Sequence, residues 1–282
     1  MGTVTSTLQS LIRRVSTAYT AGPSLEDARA ACNRIARDSL ATTVCYWNGS
    51  LDPPGFVAQS YIGLLQVISD VPTDSYLSLK APALDFDLSL LRKIIDEARR
   101  RNTRMHFDAM APDSVDMTFN LIREASRIYP NLSCTLPGRW RRSVSDVDVV
   151  IDLGLRVRVV KGEWSGLNDD ETDKSEGFMN VIDRLAERRA RHVAVATHDA
   201  ALARKCFGRL ERAGVSCELE LLYGLPRRAM LKIARDRRIS TRIYVPYGHA
   251  ALPYRLRDVV HNPRIFTWFA RDLVRANLRR GL

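Results

Sequence analysis

The chain has 282 residues, of which 45% are hydrophobic and 27% charged. This length and composition are typical of one large globular domain, and they exclude a small disulfide-stapled fold, a wholly disordered chain and a collagen-like repeat. Lys and Arg number 43 against 32 Asp and Glu, so the net charge is +11. The basic residues are spread over predicted helices rather than gathered with aromatic residues, which favours a solvated surface and predicts no nucleic-acid partner.

Signals for membranes, export and disulfides are weak in this sequence. No apolar run reaches the length of about 18–20 residues that a membrane span requires. The pair Arg13 and Arg14 is not followed by the apolar region of a twin-arginine export signal. The five cysteines are odd in number and lack C-x-x-C spacing, which is typical of reduced structural thiols. We therefore expect a cytoplasmic protein without a transmembrane segment.

Short β-like runs alternate with amphipathic segments from about residue 41 onward. Before them, Ser24 is the predicted N-cap of a helix over Leu25–Leu40, with Glu26 in its first turn. The predicted strands are rich in β-branched or aromatic residues: Thr43–Trp47, Tyr76–Lys80, Arg104–Asp108, Leu132–Leu136, Arg156–Lys161, His192–Thr197, Cys217–Leu222 and Arg242–Pro246. The predicted helices between them include Leu88–Arg101, Asp113–Tyr129, Ser143–Leu153, Gly177–Arg189, Ala200–Ala213 and Arg227–Arg238.

The order of these elements predicts an α/β fold of the (β/α)8 TIM-type barrel class. Parallel strands need helical crossovers, and eight strands can close the sheet. Residues 1–40 would form an N-terminal helical arm and residues 41–282 the barrel. An open doubly wound sheet is the alternative, but neither G-x-G-x-x-G nor G-x-x-x-x-G-K-[ST] follows any predicted strand.

Charged and aromatic residues follow the predicted strands, where the active site of such a barrel lies. Any one of them has an ordinary structural explanation, but their joint occurrence indicates one pocket. The set comprises Lys80, Asp108, the stretch Arg158–Trp164, the run Thr197, His198 and Asp199, Tyr223, Gly224, Tyr244, Tyr247, Gly248 and His249.

Three chemistries are open for this set. His106 and Asp108 point the same way on a strand and His198 could join them, as in a metal-dependent hydrolase, although no second histidine pair completes the ligands. Lys80 or Lys161 could form a Schiff base, as strand-end lysines do in barrel aldolases. A cofactor enzyme, in which basic and aromatic residues hold a nucleotide, is the third possibility.

A family resemblance supports the cofactor enzyme. The runs VRVVKGEW (Val157–Trp164), THD (Thr197–Asp199), ELELLYG (Glu218–Gly224) and RIYVPYG (Arg242–Gly248) resemble, in order, strand motifs of the FAD-dependent proline dehydrogenase family. SLKAPAL from Ser78 and FDAM from Phe107 resemble its earlier strands. The similarity covers roughly residues 40 to 265 and itself implies a barrel.

The resemblance implies roles for particular residues. Arg158 would lie beside the flavin N5 edge, where a cation stabilises the anionic reduced form. Lys161 would contact the polar part of FAD, and the other implied cofactor contacts are Gly162, Trp164, Thr197 and His198. On the substrate side, Lys80 and Asp108 match charged residues of the family, and Tyr244 matches the tyrosine that packs against the substrate ring.

Several positions depart from the family pattern. The family's helix with Y-x-x-R-R-x-x-E corresponds to residues 254–261, where spacing puts Tyr254, Arg257, Asp258 and His261 on one helical face. Arg257 keeps one of the paired arginines that grip the proline carboxylate, but Asp258 replaces the other and would repel that carboxylate.

Two cofactor positions also differ from the pattern. His261 replaces a glutamate that binds the flavin ribose, and Pro137 replaces a glutamine that faces the flavin ring. Arg139 and Arg141 or Arg142 are expected near the pocket rim, where they could bind phosphate or carboxylate.

The predicted function is therefore FAD-dependent removal of a hydride from the carbon next to a nitrogen, giving an imine. The substrate would be proline or, in view of Asp258, a proline-like cyclic or secondary amine. A quinone is a candidate electron acceptor. The alternative is a flavin-free barrel that acts as a metal-dependent hydrolase or as a binding protein.

Overall fold

A computed structural model describes residues 19–167 and 170–249. Eight parallel strands close into a barrel in sequential order, which confirms the predicted (β/α)8 fold. The strands are β1 Ala41–Trp47, β2 Ser75–Leu79, β3 Met105–Phe107, β4 Leu132–Pro137, β5 Arg156–Val160, β6 Val193–Ala196, β7 Cys217–Leu222 and β8 Ser240–Gly248. The α-helices in this range are α1 Leu25–Arg37, α2 Pro54–Ile68, α3 Leu88–Arg100, α4 Val115–Ile128, α5 Ser143–Asp152, α6 Lys174–Glu187, α7 Ala200–Arg212 and α8 Arg228–Asp236.

The leading helix α1 begins where the sequence predicts and ends earlier. The Ser24 hydroxyl accepts from the Asp27 amide, and the Asp27 carboxylate accepts from the Ser24 amide, which together form a capping box. The helix ends at Arg37 because Ser39 adopts a left-handed backbone with φ of 57°. The start of the predicted arm, residues 1–18, and the predicted end of the barrel at 282 lie outside the described residues.

Helix α2 was not singled out in the sequence. Its residues are apolar on most sides, so the amphipathic spacing that identified the other helices is weak there. Tyr61, Leu64 and Leu65 are fully buried against the barrel and its neighbouring helices.

In the described part of the chain, no helix combines the length and apolar character that crossing a membrane requires.

The two faces of the strands have different chemistry. Outward-facing residues such as Leu77, Val159 and Leu221 are buried in the apolar layer beneath the helices. The alternate residues face the barrel interior and are largely polar or charged, among them Arg158 and Arg242, which are 4% and 1% exposed. Barrel interiors are usually filled with branched apolar side chains, so charge inside this barrel is a distinguishing feature.

One charged cluster lies at the N-terminal end of the barrel and centres on Arg242. Its Nε donates to Glu218 Oε1 at 3.0 Å, and its Nη1 donates to the carbonyl oxygens of Thr42 at 2.8 Å and Asp74 at 2.9 Å. The Asp74 carboxylate also pairs with it, and the guanidinium lies 4.2 Å from the centre of the Tyr76 ring. This cluster ties β1, β7 and β8 together beneath the mouth of the barrel.

We expect Glu218 to contribute to acid unfolding. Burial would raise the pKa of its carboxyl, but Arg242 and His192 outweigh burial and lower the pKa to about 2 from an ordinary 4.5. A lowered folded-state pKa stabilises the protein above the unfolded-state value, and that stabilisation is lost as the pH falls through the folded-state value. Glu218→Gln should therefore flatten the loss of the free energy of unfolding between about pH 4.5 and pH 2.

Urea unfolding at several pH values measures this effect, with Glu124→Gln on the exposed side of α4 as the matched control. If the free energy of unfolding falls equally steeply with acid in wild type and in Glu218→Gln, the proposed role of Glu218 is contradicted.

Candidate active site

Four side chains meet inside the barrel below its C-terminal mouth. Asp108, directly after β3, accepts a hydrogen bond from Arg158 Nη1 at 2.7 Å and another from the Tyr244 hydroxyl at 2.8 Å. Arg158 also donates from Nε to Glu220 Oε2 at 2.9 Å, and its guanidinium lies 5.0 Å from the centre of the Tyr244 ring. We call Asp108, Arg158, Glu220 and Tyr244 the mouth cluster.

Burial shapes the protonation of this cluster. Burial and the negative charge of Asp108 raise the pKa of Tyr244 well above its ordinary value, so its hydroxyl keeps its proton. Burial opposes the charge on Arg158, but Glu220 and Asp108 outweigh it and raise the pKa of the guanidinium. Burial, with a contribution from Glu218, raises the pKa of Glu220 against the attraction of Arg158. The cluster thus holds a permanent cation and a permanent hydroxyl donor around Asp108.

Lys80 and Trp47 lie at the neighbouring strand ends. The Lys80 ammonium lies 5.7 Å from the centre of the Trp47 ring, within the range of a cation–π contact. Trp47 Nε1 approaches the Tyr244 hydroxyl at 3.4 Å, which connects this pair to the mouth cluster. The structure therefore brings the predicted substrate residues Lys80, Asp108 and Tyr244 to one end of the barrel.

The loop after β5 carries three predicted cofactor residues. Lys161 is half-buried, with its Nζ 3.3 Å from Asp199 Oδ2. Gly162 has a φ of 91°, a left-handed conformation that disfavours a side chain, and an added Cβ would lie 2.9 Å from the Pro137 Cβ. Trp164 is 36% exposed and its carbonyl oxygen accepts from Trp140 Nε1 at 2.9 Å.

Thr197 and His198, after β6, bind the protein backbone. Thr197 Oγ1 accepts from the Asp199 amide at 3.1 Å, and Asp199 is the N-cap of α7. His198 Nε2 accepts from the Leu222 amide at 3.0 Å, which fixes the end of β7. Burial lowers the pKa of His198. Its ring is therefore neutral near pH 7. The contact of His198 with a flavin, which the resemblance implies, stays a prediction.

The arginines after β4 are already engaged by protein groups. Arg139 donates to the Glu163 carbonyl oxygen and to Ser165 Oγ, both at 2.9 Å, and also pairs with Glu171. Arg142 pairs with Asp116 and Asp146, at 2.7 and 3.0 Å. Arg139 therefore braces the loop after β5, whereas Arg142 links α4 and α5.

Gly138 and Gly177 allow the loop after β4 to touch the first turn of α6. A Cβ on Gly177 would lie 1.8 Å from the Gly138 carbonyl oxygen, which is backbone and cannot rotate away. We expect Gly177→Ala to lower the free energy of unfolding by about 1–3 kcal/mol, the usual cost of overpacking. Gly208→Ala is the matched control because a Cβ there meets nothing within 4 Å; it should stabilise by about 0.5–1 kcal/mol. Urea unfolding compares the two, and an equal change in both would contradict the close contact.

The part of the chain that the structure describes gives the metal-dependent alternative no ligand set. His106 is fully buried, and its two ring nitrogens lie 2.8 Å from Ser133 Oγ and 2.7 Å from Thr135 Oγ1. Burial lowers the pKa of this histidine far below its ordinary value. Within residues 19–167 and 170–249, no group of three or more His, Cys, Asp or Glu side chains could hold a metal ion.

The predicted residues Tyr254, Arg257, Asp258 and His261 lie outside the described residues. Their roles stay predictions from the sequence.

Sequence reasoning missed Glu220 and Trp47. Glu220 carried a usable signal, because Glu218 and Glu220 alternate with leucines at 219 and 221. If the leucines face the helices, both glutamates must face the barrel interior. Trp47 had no such signal, since an aromatic residue at a strand end is usually part of the core.

Sequence comparisons find distant relatives of this chain. The chain is 24% identical over 261 residues to proline dehydrogenase 1 of Bacillus subtilis, covering 87% of this chain and 86% of that protein. It is 23% identical over 267 residues to the proline dehydrogenase of Deinococcus radiodurans, with the same shares covered. The chain is a distant homologue of the proline dehydrogenases. No protein-family model matches it.

Solved structures support the fold of this proline dehydrogenase homologue. The crystal structure of proline utilization A (PutA) from Bdellovibrio bacteriovorus matches with a TM-score of 0.72 at 16% identity, over 83% of this chain and 31% of PutA. A bifunctional PutA protein matches with a TM-score of 0.68 at 18% identity, over 84% of this chain and 29% of that one. The chain thus spans less than a third of the length of these PutA proteins.

Proposed function

We propose that this proline dehydrogenase homologue is an FAD-dependent oxidoreductase that converts proline or a proline-like cyclic or secondary amine into an imine. The observation that carries the proposal is the mouth cluster, in which Arg158 and Tyr244 both donate to Asp108 at 2.7 and 2.8 Å. Two ordered donors hold this carboxylate at the barrel end where substrates bind. The homology supplies the class of reaction.

The residues at the mouth fit the ring portion of a flavin. Arg158 Nη2 is buried and forms an ion pair with Glu220 Oε1 at 2.8 Å, but the two atoms lack the alignment of a hydrogen bond, and no other described residue accepts from Nη2. An unsatisfied buried donor costs free energy, and the polar edge of a flavin ring offers an acceptor. Arg158, Lys161 and Trp164 are the proposed flavin contacts nearest the mouth, joined by Gly162, Thr197, His198 and, from the sequence alone, His261.

FAD, when bound, supplies the acceptor for the hydride that leaves the substrate carbon. The tasks of the chain are to bind and orient the amine. Asp108 is 12% exposed, so a lone pair can accept an N–H of the amine from the mouth. Tyr244 stays protonated and acts as a fixed donor that orients Asp108. As the C–H bond breaks with its electron pair and the C=N bond forms, the negative charge of Asp108 stabilises positive charge developing on nitrogen.

The visible absorption spectrum of protein supplied with FAD tests this function. Tight binding, followed by bleaching of the flavin bands on anaerobic addition of L-proline, would establish a proline dehydrogenase. Bleaching by a cyclic or secondary amine but not by proline would establish the broader class. Failure to bind FAD, with the fold intact by circular dichroism, would overturn the proposal.

The choice of substrate depends in this proposal on Asp258. We expect Asp258→Arg to raise kcat/KM for L-proline at least about tenfold, because it replaces repulsion of the carboxylate by attraction. Asp258→Asn, which only removes the charge, should give a smaller gain. A folded, flavin-loaded Asp258→Arg variant without a gain would show that Asp258 does not exclude proline.

A further inference from the structure

Glu220 is the deepest member of the mouth cluster. It lies on β7, is 2% exposed, and pairs side-on with Arg158 through contacts of 2.9 Å from Nε and 2.8 Å from Nη2. Its neighbour across the sheet is Arg242 of β8, which is already paired with Glu218. Among the described residues, Glu220 therefore directs its charge at Arg158.

Holding Arg158 in place does not require a carboxylate at position 220. Asp108 already pairs with Arg158 from the mouth side, at 2.7 Å. A neutral side-chain oxygen could accept the Arg158 Nε hydrogen bond equally well. With Glu220 present, two carboxylates share one guanidinium in a buried setting, where charges are weakly screened. The charge of Glu220 thus has an effect beyond holding the arginine in place.

We propose that Glu220 is a positioning residue that offsets the charge of Arg158 and so lowers the reduction potential of the flavin. The inference rests on the proposed function, which puts Arg158 beside the flavin N5 edge. Hydride transfer adds two electrons and one proton, so a neutral flavin ring becomes an anion. A cation nearby favours that anion and raises the potential. A buried carboxylate paired with the cation reduces this effect.

The consequence is a substrate site whose mouth cluster is negatively charged. Because Glu220 and Asp108 share the single guanidinium of Arg158, the two carboxylates outnumber the cation and the mouth cluster keeps a net negative charge. Such a site favours the iminium cation that forms as hydride leaves the carbon next to a neutral amine.

The test is the reduction potential of bound FAD, measured anaerobically in equilibrium with a reference dye. Glu220→Gln keeps the size of the side chain and removes its charge. We expect it to stabilise reduced over oxidised flavin about tenfold, which for a two-electron couple is a rise of about 30 mV. Glu218→Gln is the matched control, since Glu218 lies on the same strand and face but pairs with Arg242. It should change the ratio of reduced to oxidised flavin about twofold or less.

A double variant keeps the test decisive if Glu220→Gln does not fold. Arg158→Gln with Glu220→Gln leaves a neutral pair and no buried unpaired charge from that pair. If Glu220 offsets Arg158, removing both charges should leave the potential close to wild type. A fall of tenfold or more in the ratio of reduced to oxidised flavin would show that Arg158 had not been offset.

The remaining outcomes separate this inference from the proposed function. An unchanged or lower potential in flavin-loaded Glu220→Gln overturns the role of Glu220 alone. Wild-type protein that takes up no FAD overturns the proposed function and this inference with it.

Discussion

Asp108→Asn should lower kcat/KM for the amine substrate about 100-fold, the loss expected when a reacting group is misplaced by about 1 Å. Asp108 accepts from both Arg158 and Tyr244. An asparagine has one acceptor oxygen, so its NH2 group must face one of these two donors. The variant also removes the negative charge that stabilises cationic nitrogen. Both effects act at the reacting amine.

The measurement is the rate of anaerobic flavin reduction by substrate, at saturating and at low concentration. Asp113→Asn is the control, because Asp113 is an exposed carboxylate just beyond the same strand. It should react like wild type. A flavin-loaded Asp108→Asn variant with an undiminished reduction rate would show that the mouth cluster is not where the chemistry occurs.

Arg242→Met should lower the free energy of unfolding by about 3–5 kcal/mol, the cost of breaking a buried ion pair from one side. Arg242 is 1% exposed, and its loss leaves the Glu218 carboxylate, 4% exposed, without its main partner. The carbonyl oxygens of Thr42 and Asp74 also lose their donor. A domain is stable by only about 5–15 kcal/mol, so this one substitution removes a large fraction of the total.

Urea unfolding at neutral pH gives the value, with Arg127→Met as the control. Arg127 pairs with Glu124 at the surface, where both side chains are largely exposed, and its loss should cost less than about 1 kcal/mol. Arg242→Met combined with Glu218→Leu should be more stable than Arg242→Met alone, since no unpaired charge remains buried. A single variant as stable as wild type would contradict the account of this cluster.

Much of the barrel could be predicted from the sequence because its signals are local. The strand Cys217–Leu222 was predicted with its observed bounds, and other strands differ at their ends by a few residues. Strand ends depend on pairing: β8 runs from Ser240 to Gly248, beyond the predicted Arg242–Pro246, because its first residues pair with β7 and its last residues pair with β1. The N-cap at Ser24 depends only on adjacent residues and was predicted directly, whereas its capping box with Asp27 was seen only in the structure.

The sequence by itself determined the alternation of strands and helices, the placing of Lys80, Asp108 and Tyr244 at strand ends, and the resemblance that names the reaction class. Only the tertiary structure decided which charged side chains pair with one another. Arg158 and Glu220 are 62 positions apart in the chain, and no local pattern states that barrel closure brings them together. Arg158, Arg139 and Arg142 look alike in the sequence, yet one is buried between two carboxylates, one braces a loop and one links two helices. Helix and strand signals arise from neighbours along the chain, whereas the pairing of buried charges depends on which strands meet in space.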